Sequence, residues 1–381
     1  MSRRTMSIAA AAALALTLAV PVAHAADVYK IGAAVGLTGY AATTDRGWRD
    51  GLEIAADYLN EKGGIDGHKI ELVVEDNKSD PQQAVVAYQK MMANDQVQIF
   101  ASGCVSAGNF AAAGAVARAN IPMVLCSILP RRDNEIHWAF SFLPPPIYEL
   151  EARMQYLKDH TDIRKVGVLN DPTPYAMLMA KLADPAAKKY GIEIVAHETY
   201  QQDDSDMSVQ IGRIKAAGAT ALIKIGIGGS TVTIAKNVNQ LGLKDMLLMA
   251  GLDDAAPYLQ AGQVLGDHFM FAATTVQIPE AVPAGPAREA LDAFLTRWKA
   301  KYGDRDGSAA SRAWDAMMVI AKAVETAHST DGAKVRDALE QVSHYQGAAA
   351  LYEFSPQQHV GVVKNPFVIG EVKDGKLVQV K

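Results

Sequence analysis

Short apolar runs alternate with amphipathic stretches along most of the chain, and that alternation predicts the elements. Tyr29–Val35 reads as a buried strand. Arg46–Lys62 reads as a helix, because Trp48, Leu52, Ala55 and Leu59 share one face, and Gly63-Gly64 stops it. Lys69–Glu75 is a strand with partial alternation. Asp80-Pro81-Gln82-Gln83 starts a helix that runs to about Ala93: Asp80 caps, Pro81 suits the first helical position and Gln83 completes a capping box. Val97–Ala101, the Ala-rich Asn109–Asn120 and Pro122–Cys126 follow as strand, helix and strand. The order β-α-β-α-β-α-β implies a parallel sheet covered on both faces.

A polar, turn-rich stretch at Pro130–Asn134 and then Leu143-Pro144-Pro145-Pro146 interrupt the pattern. It then restarts. Helices are expected at Ile147–Lys158, Tyr175–Lys189, Asp206–Ala217 and Thr231–Leu241, and strands at Lys165–Leu169, Glu193–Tyr200, Ala221–Ile225, Met246–Ala250 and His268–Ala273. After a second Pro-rich stretch, Ile278–Pro286, three helices read as Ala287–Tyr302, Ala309–Ala327 and Ala333–Val342. Leu351–Lys381 reads as short β segments with Asp374-Gly375 as a hairpin turn. Two α/β units followed by leftover helices and strands suggest a chain that crosses between two lobes more than once.

The first residues have a different character. Arg3 and Arg4 precede an apolar stretch, Ile8–Val22, and Ala23-His24-Ala25 has the form of a signal-peptidase site. The stretch is short for a bilayer span, and no later run reaches the roughly 18 apolar residues a spanning helix needs. The expectation is a cleaved signal peptide, residues 1–25, and a periplasmic product. That compartment permits disulfides. Cys104 and Cys126 each end an apolar run; if the runs are neighbouring parallel strands the thiols share one sheet edge, and both a bridge and two buried thiols fit.

Composition then excludes function classes. The formal charge of −5, with no basic block, argues against nucleic-acid binding. The two cysteines cannot build a Cys-rich zinc site, and no H-E-x-x-H occurs, so no metal is expected. Gly226-Ile227-Gly228-Gly229 lacks the spacing of a dinucleotide loop and no Walker A sequence is present, so no cofactor is expected either. Around Ser106 a nucleophile elbow would need Gly where Cys104 stands, which removes the hydrolase reading; no catalytic residue is assigned. Asp253-Asp254 reads better as a helix cap than as an acidic pair. A binding geometry remains. In open α/β sheets ligands sit at the carboxyl ends of strands. Here those ends, among them Ser102–Gly108 and Gly226–Ser230, are rich in Gly and Ser, and the Ser106–Asn109 loop before the Ala-rich helix is the best anion site.

Leu37-Thr38-Gly39, Gly63–Leu72 and Asp76–Ala84, in that order, resemble the periplasmic branched-chain amino-acid binding protein family, the type I solute-binding receptors of ABC importers. Pro122-Met123-Val124 and Lys373–Lys376 fit as well. The resemblance implies an α/β fold of two Rossmann-like lobes joined by a three-strand hinge, closing on a ligand. The lobes are expected as 26–143 with 277–345, and 144–276 with 346–381, unless the last residues return to the first lobe. It implies a monomer, a small-molecule ligand and a membrane permease as partners, and no enzymatic activity.

The resemblance also assigns site residues. Cys104, Val105 and Ser106 lie in the loop that grips the ligand carboxylate; Ser127 and Ile128 lie in the second carboxylate loop. Tyr175 matches the second-lobe tyrosine that covers the ligand, Thr44 falls at a first-lobe contact, and Gly228 and Gly251 lie in second-lobe loops. Three positions depart from the pattern: Leu129 stands for a threonine, Ala250 for the acid that pairs with an ammonium group, and Ile227 or Gly228 for a tyrosine. A buried ammonium without a carboxylate costs several kcal/mol. These losses therefore point to an aromatic or other hydrophobic carboxylate. Asp253 or Asp254, after a small shift, would restore the amino-acid reading. Arg46 is either a charge-assisted contact or a solvated helix-start arginine.

Overall fold

A computed structural model describes residues 28–130, 132–227 and 229–380. The expected signal peptide lies outside the described residues.

The first α/β unit contains strands β1 (Val28–Val35), β2 (Lys69–Asp76), β3 (Ile99–Ser102), β4 (Met123–Leu125) and β5 (Ala139–Ser141). Its helices are α1 (Ala42–Glu61), α2 (Pro81–Lys90), α3 (Ser106–Arg118) and the single turn α4 (Asp133–Ile136). The strands form one parallel sheet in the order β2-β1-β3-β4-β5. The Asp80 carboxylate accepts from the amides of Gln82 and Gln83, which starts α2 as its sequence implied. That helix ends earlier than Ala93, passing into a wider π turn over Met91–Asp95. Helix α1 begins four residues before Arg46. Strand β5 is fully buried and only three residues long, too short to leave a period.

The second unit contains α5 (Pro146–His160), β6 (Lys165–Asn170), α6 (Pro174–Lys189), β7 (Glu193–Thr199), α7 (Ser208–Ala216) and β8 (Ala221–Ile225). It continues with α8 (Ser230–Gln240), β9 (Leu247–Gly251), α9 (Ala255–Leu265) and β10 (Phe269–Ala273). Helices α10 (Pro286–Tyr302), α11 (Ser308–Ala327) and α12 (Gly332–Leu339) follow, then the strand pair β11 (Tyr345–Gln346) and β12 (Leu351–Tyr352), and finally β13 (Val368–Lys373) and β14 (Lys376–Gln379). The second sheet runs β14-β13-β10-β9-β8-β6-β7, parallel except for the β13–β14 hairpin, which joins antiparallel to β10.

The leftover helices pack on the first sheet. One core cluster unites Trp48, Leu52 and Phe142 with Leu291, Trp298, Met317, Ile320 and Leu339. Helix α11 lies so close to α1 that a β-carbon on Gly51 would stand 2.3 Å from the Ala310 carbonyl oxygen. The expected boundary at residue 346 has to move. Ala348, Tyr352, Phe354 and Val362 belong to the first-lobe core, where Tyr352 and Phe354 pack on Phe142 with ring centroids 4.8 and 5.3 Å away. Val360 bridges to Ser141 at the sheet edge. Only β13 and β14 return to the second lobe. The chain thus passes between the lobes near 142–146, 273–276 and 362–368.

Candidate ligand cleft

The carboxyl ends of β3 and β4 face the second lobe, and several interactions hold their loops in one arrangement. Asn109, in the first turns of α3, donates to the Gly103 carbonyl and to the Ser127 hydroxyl, both at 2.9 Å, while Tyr88 donates to its side-chain oxygen at 2.8 Å. Ser141 Oγ donates to the Ser127 carbonyl at 2.7 Å. A Cys104–Cys126 disulfide links the two loops. The buried Asp45 carboxylate accepts from the amides of Gly36 at 2.6 Å and Cys104 at 2.7 Å. Burial pushes its pKa up to about 6, although both amide bonds act the other way.

Two small cavities lie between the lobes. One, of about 30 Å³, is lined by Thr44, Cys104, Ser106, Cys126, Tyr175 and Ile227, among others; the second, of about 20 Å³, is bounded by Asp253, Asp254, Tyr258 and Gln277. Thr44, Leu252 and Arg312 border both. Both spaces are narrow, so groups from the two lobes approach one another closely here.

Arg312, on α11, is the charge at the centre. It is 5% exposed, yet among the described residues its contact is a sulfur: one guanidinium nitrogen lies 3.9 Å from Cys126 Sγ, and Nε is buried without a partner. Burial lowers its pKa, while Asp306 and Asp254 act in the opposite direction. Nothing in the sequence reading singled this residue out. The available signal was its setting: an arginine inside Ser308-Ala309-Ala310-Ser311-Arg312-Ala313-Trp314, a segment small or apolar on every face and buried throughout.

The second lobe contributes a linear chain of four buried charges, two of each sign. Glu149 pairs with Arg153 at 2.7 Å and accepts from the Tyr175 hydroxyl at 3.0 Å. Arg153 donates to the Lys224 carbonyl at 2.8 Å. Lys224 pairs with Asp253 at 2.9 Å, and Thr231 donates to the same carboxylate oxygen. Burial raises the pKa of Glu149 and Asp253, and their cationic partners lower it. Two cations match two anions, so Asp253 is already paired. Asp254, half-buried beside the Arg312 cavity, has no such paired cation among the described residues; burial and the Asp306 and Asp253 charges push its pKa up to about 7.

The expected site residues divide accordingly. Thr44, Cys104, Ser106 and Tyr175 converge on the cavities with Arg312. Ser106 does not cap α3; Val105 is the capping position and carries no side-chain bond, which leaves the Ser106 hydroxyl facing the cleft. Val105 itself is buried beneath the loop, against the neighbourhoods of Gly36 and Gly108. Ser127 spends its hydroxyl on Asn109 and the Ile128 carbonyl and supports the loop from behind. Ile128 and Leu129 line a separate apolar pocket. Arg46 is exposed, with Nε donating to the Leu37 carbonyl at 3.0 Å, so it is the solvated helix-start arginine. Gly251 does not line the cleft: a β-carbon there would stand 1.7 Å from Glu149 Oε1, and the glycine makes room for that carboxylate while Leu252 borders the cavity. Gly228 lies outside the described residues.

Comparison with known proteins agrees with this architecture. The family described as periplasmic binding protein matches residues 28–376. A Leu/Ile/Val-binding protein homolog 7 of Brucella suis biovar 1 (strain 1330) is 26% identical over 345 residues, covering 87% of this chain and 85% of its own. The leucine-, isoleucine-, valine-, threonine-, and alanine-binding protein of Pseudomonas aeruginosa is 26% identical over 331 residues, 86% of each chain. The crystal structure of a periplasmic binding protein type 1 from Bordetella pertussis Tohama I superimposes with a TM-score of 0.81 at 25% identity, over 93% of this chain and all of the other. The chain belongs to the periplasmic binding protein family.

Proposed function

We propose that the chain is the solute receptor of an ABC importer, exported to the periplasm by residues 1–25, and that its lobes close on a small carboxylate with an apolar body. The observation that carries the reading is Arg312: a buried guanidinium between two lobes that, among the described residues, has no carboxylate within hydrogen-bond reach. A buried charge without a partner costs several kcal/mol. A ligand carboxylate removes that cost only when the lobes are together, so binding and closure are coupled. Ser106 and the free amides of the first turn of α3 add donors, and the positive end of the helix favours the same charge. Tyr175, held by Glu149, closes the cleft from the second lobe. The permease that accepts the solute is the expected partner.

A second reading, an α-amino acid such as leucine or isoleucine, is favoured by Asp254. It lies beside Arg312 on the same cavity wall, and an ammonium group there would hold its carboxylate ionised. The names of the Brucella and Pseudomonas relatives point the same way. A thermal-shift screen separates the readings. A ligand at 100 times its Kd adds about 2.7 kcal/mol. Stabilisation by benzoate and phenylpropanoates without leucine, isoleucine or valine supports the first reading; the reverse supports the second. Stabilisation by neither class contradicts the proposed function.

A further inference from the structure

The spaces that Arg312 borders are narrow, about 20 and 30 Å³, but a much larger apolar pocket adjoins one of them. This pocket, of about 390 Å³, lies where the lobes meet beside the first crossover. The first lobe supplies Phe110 from α3 and Ile128 and Leu129 from the loop after β4; the second supplies Pro174 and Leu178 from α6. Leu143, at the start of the Pro144–Pro146 crossover, lines both this pocket and the Arg312 cavity. Its size falls within the range of small-molecule sites, roughly 300–1,000 Å³. Phe110, Leu129 and Leu178 are each half-buried and present apolar surface on both sides of the lobe boundary.

We propose that this pocket is a subsite for the apolar body of the ligand: the carboxylate sits at Arg312, the chain passes Leu143, and a ring or long alkyl group fills the space between Phe110 and Leu178. The inference rests on the Arg312 reading and extends it to a ligand class, arylalkanoic or comparably elongated carboxylic acids. Three features support it together. Leu143 lines both spaces. Both lobes build the pocket, so filling it also favours closure. Phe110, Leu129 and Leu178 make its facing walls apolar.

The test is a chain-length series. Affinities of benzoate, phenylacetate, 3-phenylpropionate, 4-phenylbutyrate and 5-phenylpentanoate are measured by titration calorimetry on the full chain, on Leu178→Trp and on Leu129→Glu. Far-UV circular dichroism and melting curves check that each variant folds. Each added methylene is expected to strengthen wild-type binding by about threefold to fourfold as the ring moves past Leu143. Leu178→Trp, which fills the pocket, and Leu129→Glu, which places a charge in it, should each weaken 4-phenylbutyrate at least tenfold and leave benzoate within about twofold. Affinity that is flat or falls with chain length, or variants that bind the long acids normally, would overturn the subsite. In that outcome Arg312-dependent benzoate binding still stands and the receptor reading survives. Failure of every acid and of leucine to bind would overturn both.

Discussion

Replacing Arg312 with methionine should produce two effects of opposite sign, and their combination tests the role assigned to the residue. Methionine keeps much of the side-chain volume and removes the charge. Arg312 is 5% exposed, and among the described residues Nε has no partner and one guanidinium nitrogen lies 3.9 Å from Cys126 Sγ. Exchanging buried ionic groups for apolar ones of similar volume is often neutral or stabilising by about 1–4 kcal/mol. The unliganded variant should therefore melt no lower than the wild type. Binding should move the other way. Truncating one partner of a buried, hydrogen-bonded charge pair costs about 2–5 kcal/mol. Taking about 3 kcal/mol, Kd rises roughly 150-fold. Differential scanning calorimetry and titration calorimetry on the same preparations give both numbers, with Arg312→Lys as the variant that keeps the charge. An unliganded melting temperature clearly below the wild type, together with a Kd within threefold, would refute the reasoning and make Arg312 a structural residue.

Three further outcomes follow from the same geometry. Ser106→Ala should weaken ligand binding by about tenfold, the worth of about one hydrogen bond to a charged group, with the circular dichroism spectrum unchanged; unaltered affinity would remove Ser106 from the site. The Cys104–Cys126 bridge closes a sequence separation of 22 residues, so chain entropy assigns it about 3 kcal/mol; urea titrations of the oxidised chain and of the Cys104→Ser, Cys126→Ser variant should differ by about that amount. Asp315 accepts from the Ala348 and Ala349 amides at 2.7 and 2.8 Å, yet burial lifts its pKa to about 7. The folded state thus keeps a proton that the unfolded state releases near pH 4, a stabilisation present below pH 4 and lost as pH rises through 7. Melting temperatures between pH 4 and 8 should fall less steeply with pH in Asp315→Asn than in the wild type, and parallel curves would contradict this.

Much of the fold was legible because parallel strands buried on both faces leave continuous apolar runs, as in Leu247–Gly251 and Phe269–Ala273, and because caps such as Asp80-Pro81 leave local signatures. What escaped was short or long-range. Strand β5 has three residues, and the placement of 348–362 is decided by Tyr352 and Phe354 meeting Phe142 some two hundred positions earlier. The site divides the same way. Thr44, Ser106 and Tyr175 stand in the first turns of α1, α3 and α6, at the carboxyl edges of the sheets, positions that a resemblance can transfer. Arg312, Glu149, Arg153 and Lys224 sit inside helices and a strand whose patterns read as ordinary packing, Asp253 lies in the connection between β9 and α9, and the meaning of all five depends on partners brought together only by the fold. Gly251 shows the converse: a residue expected to face the ligand is small because Glu149 needs the room.

The central claim is that the cleft recognises a carboxylate. The most direct measurement is titration calorimetry with matched pairs that differ only in that group, 3-phenylpropionate against 3-phenylpropanamide and leucine against leucinamide. A cleft organised around the buried Arg312 guanidinium should bind at least one of the acids and should bind its amide at least 100-fold more weakly. Equal affinity for an acid and its amide would contradict the account.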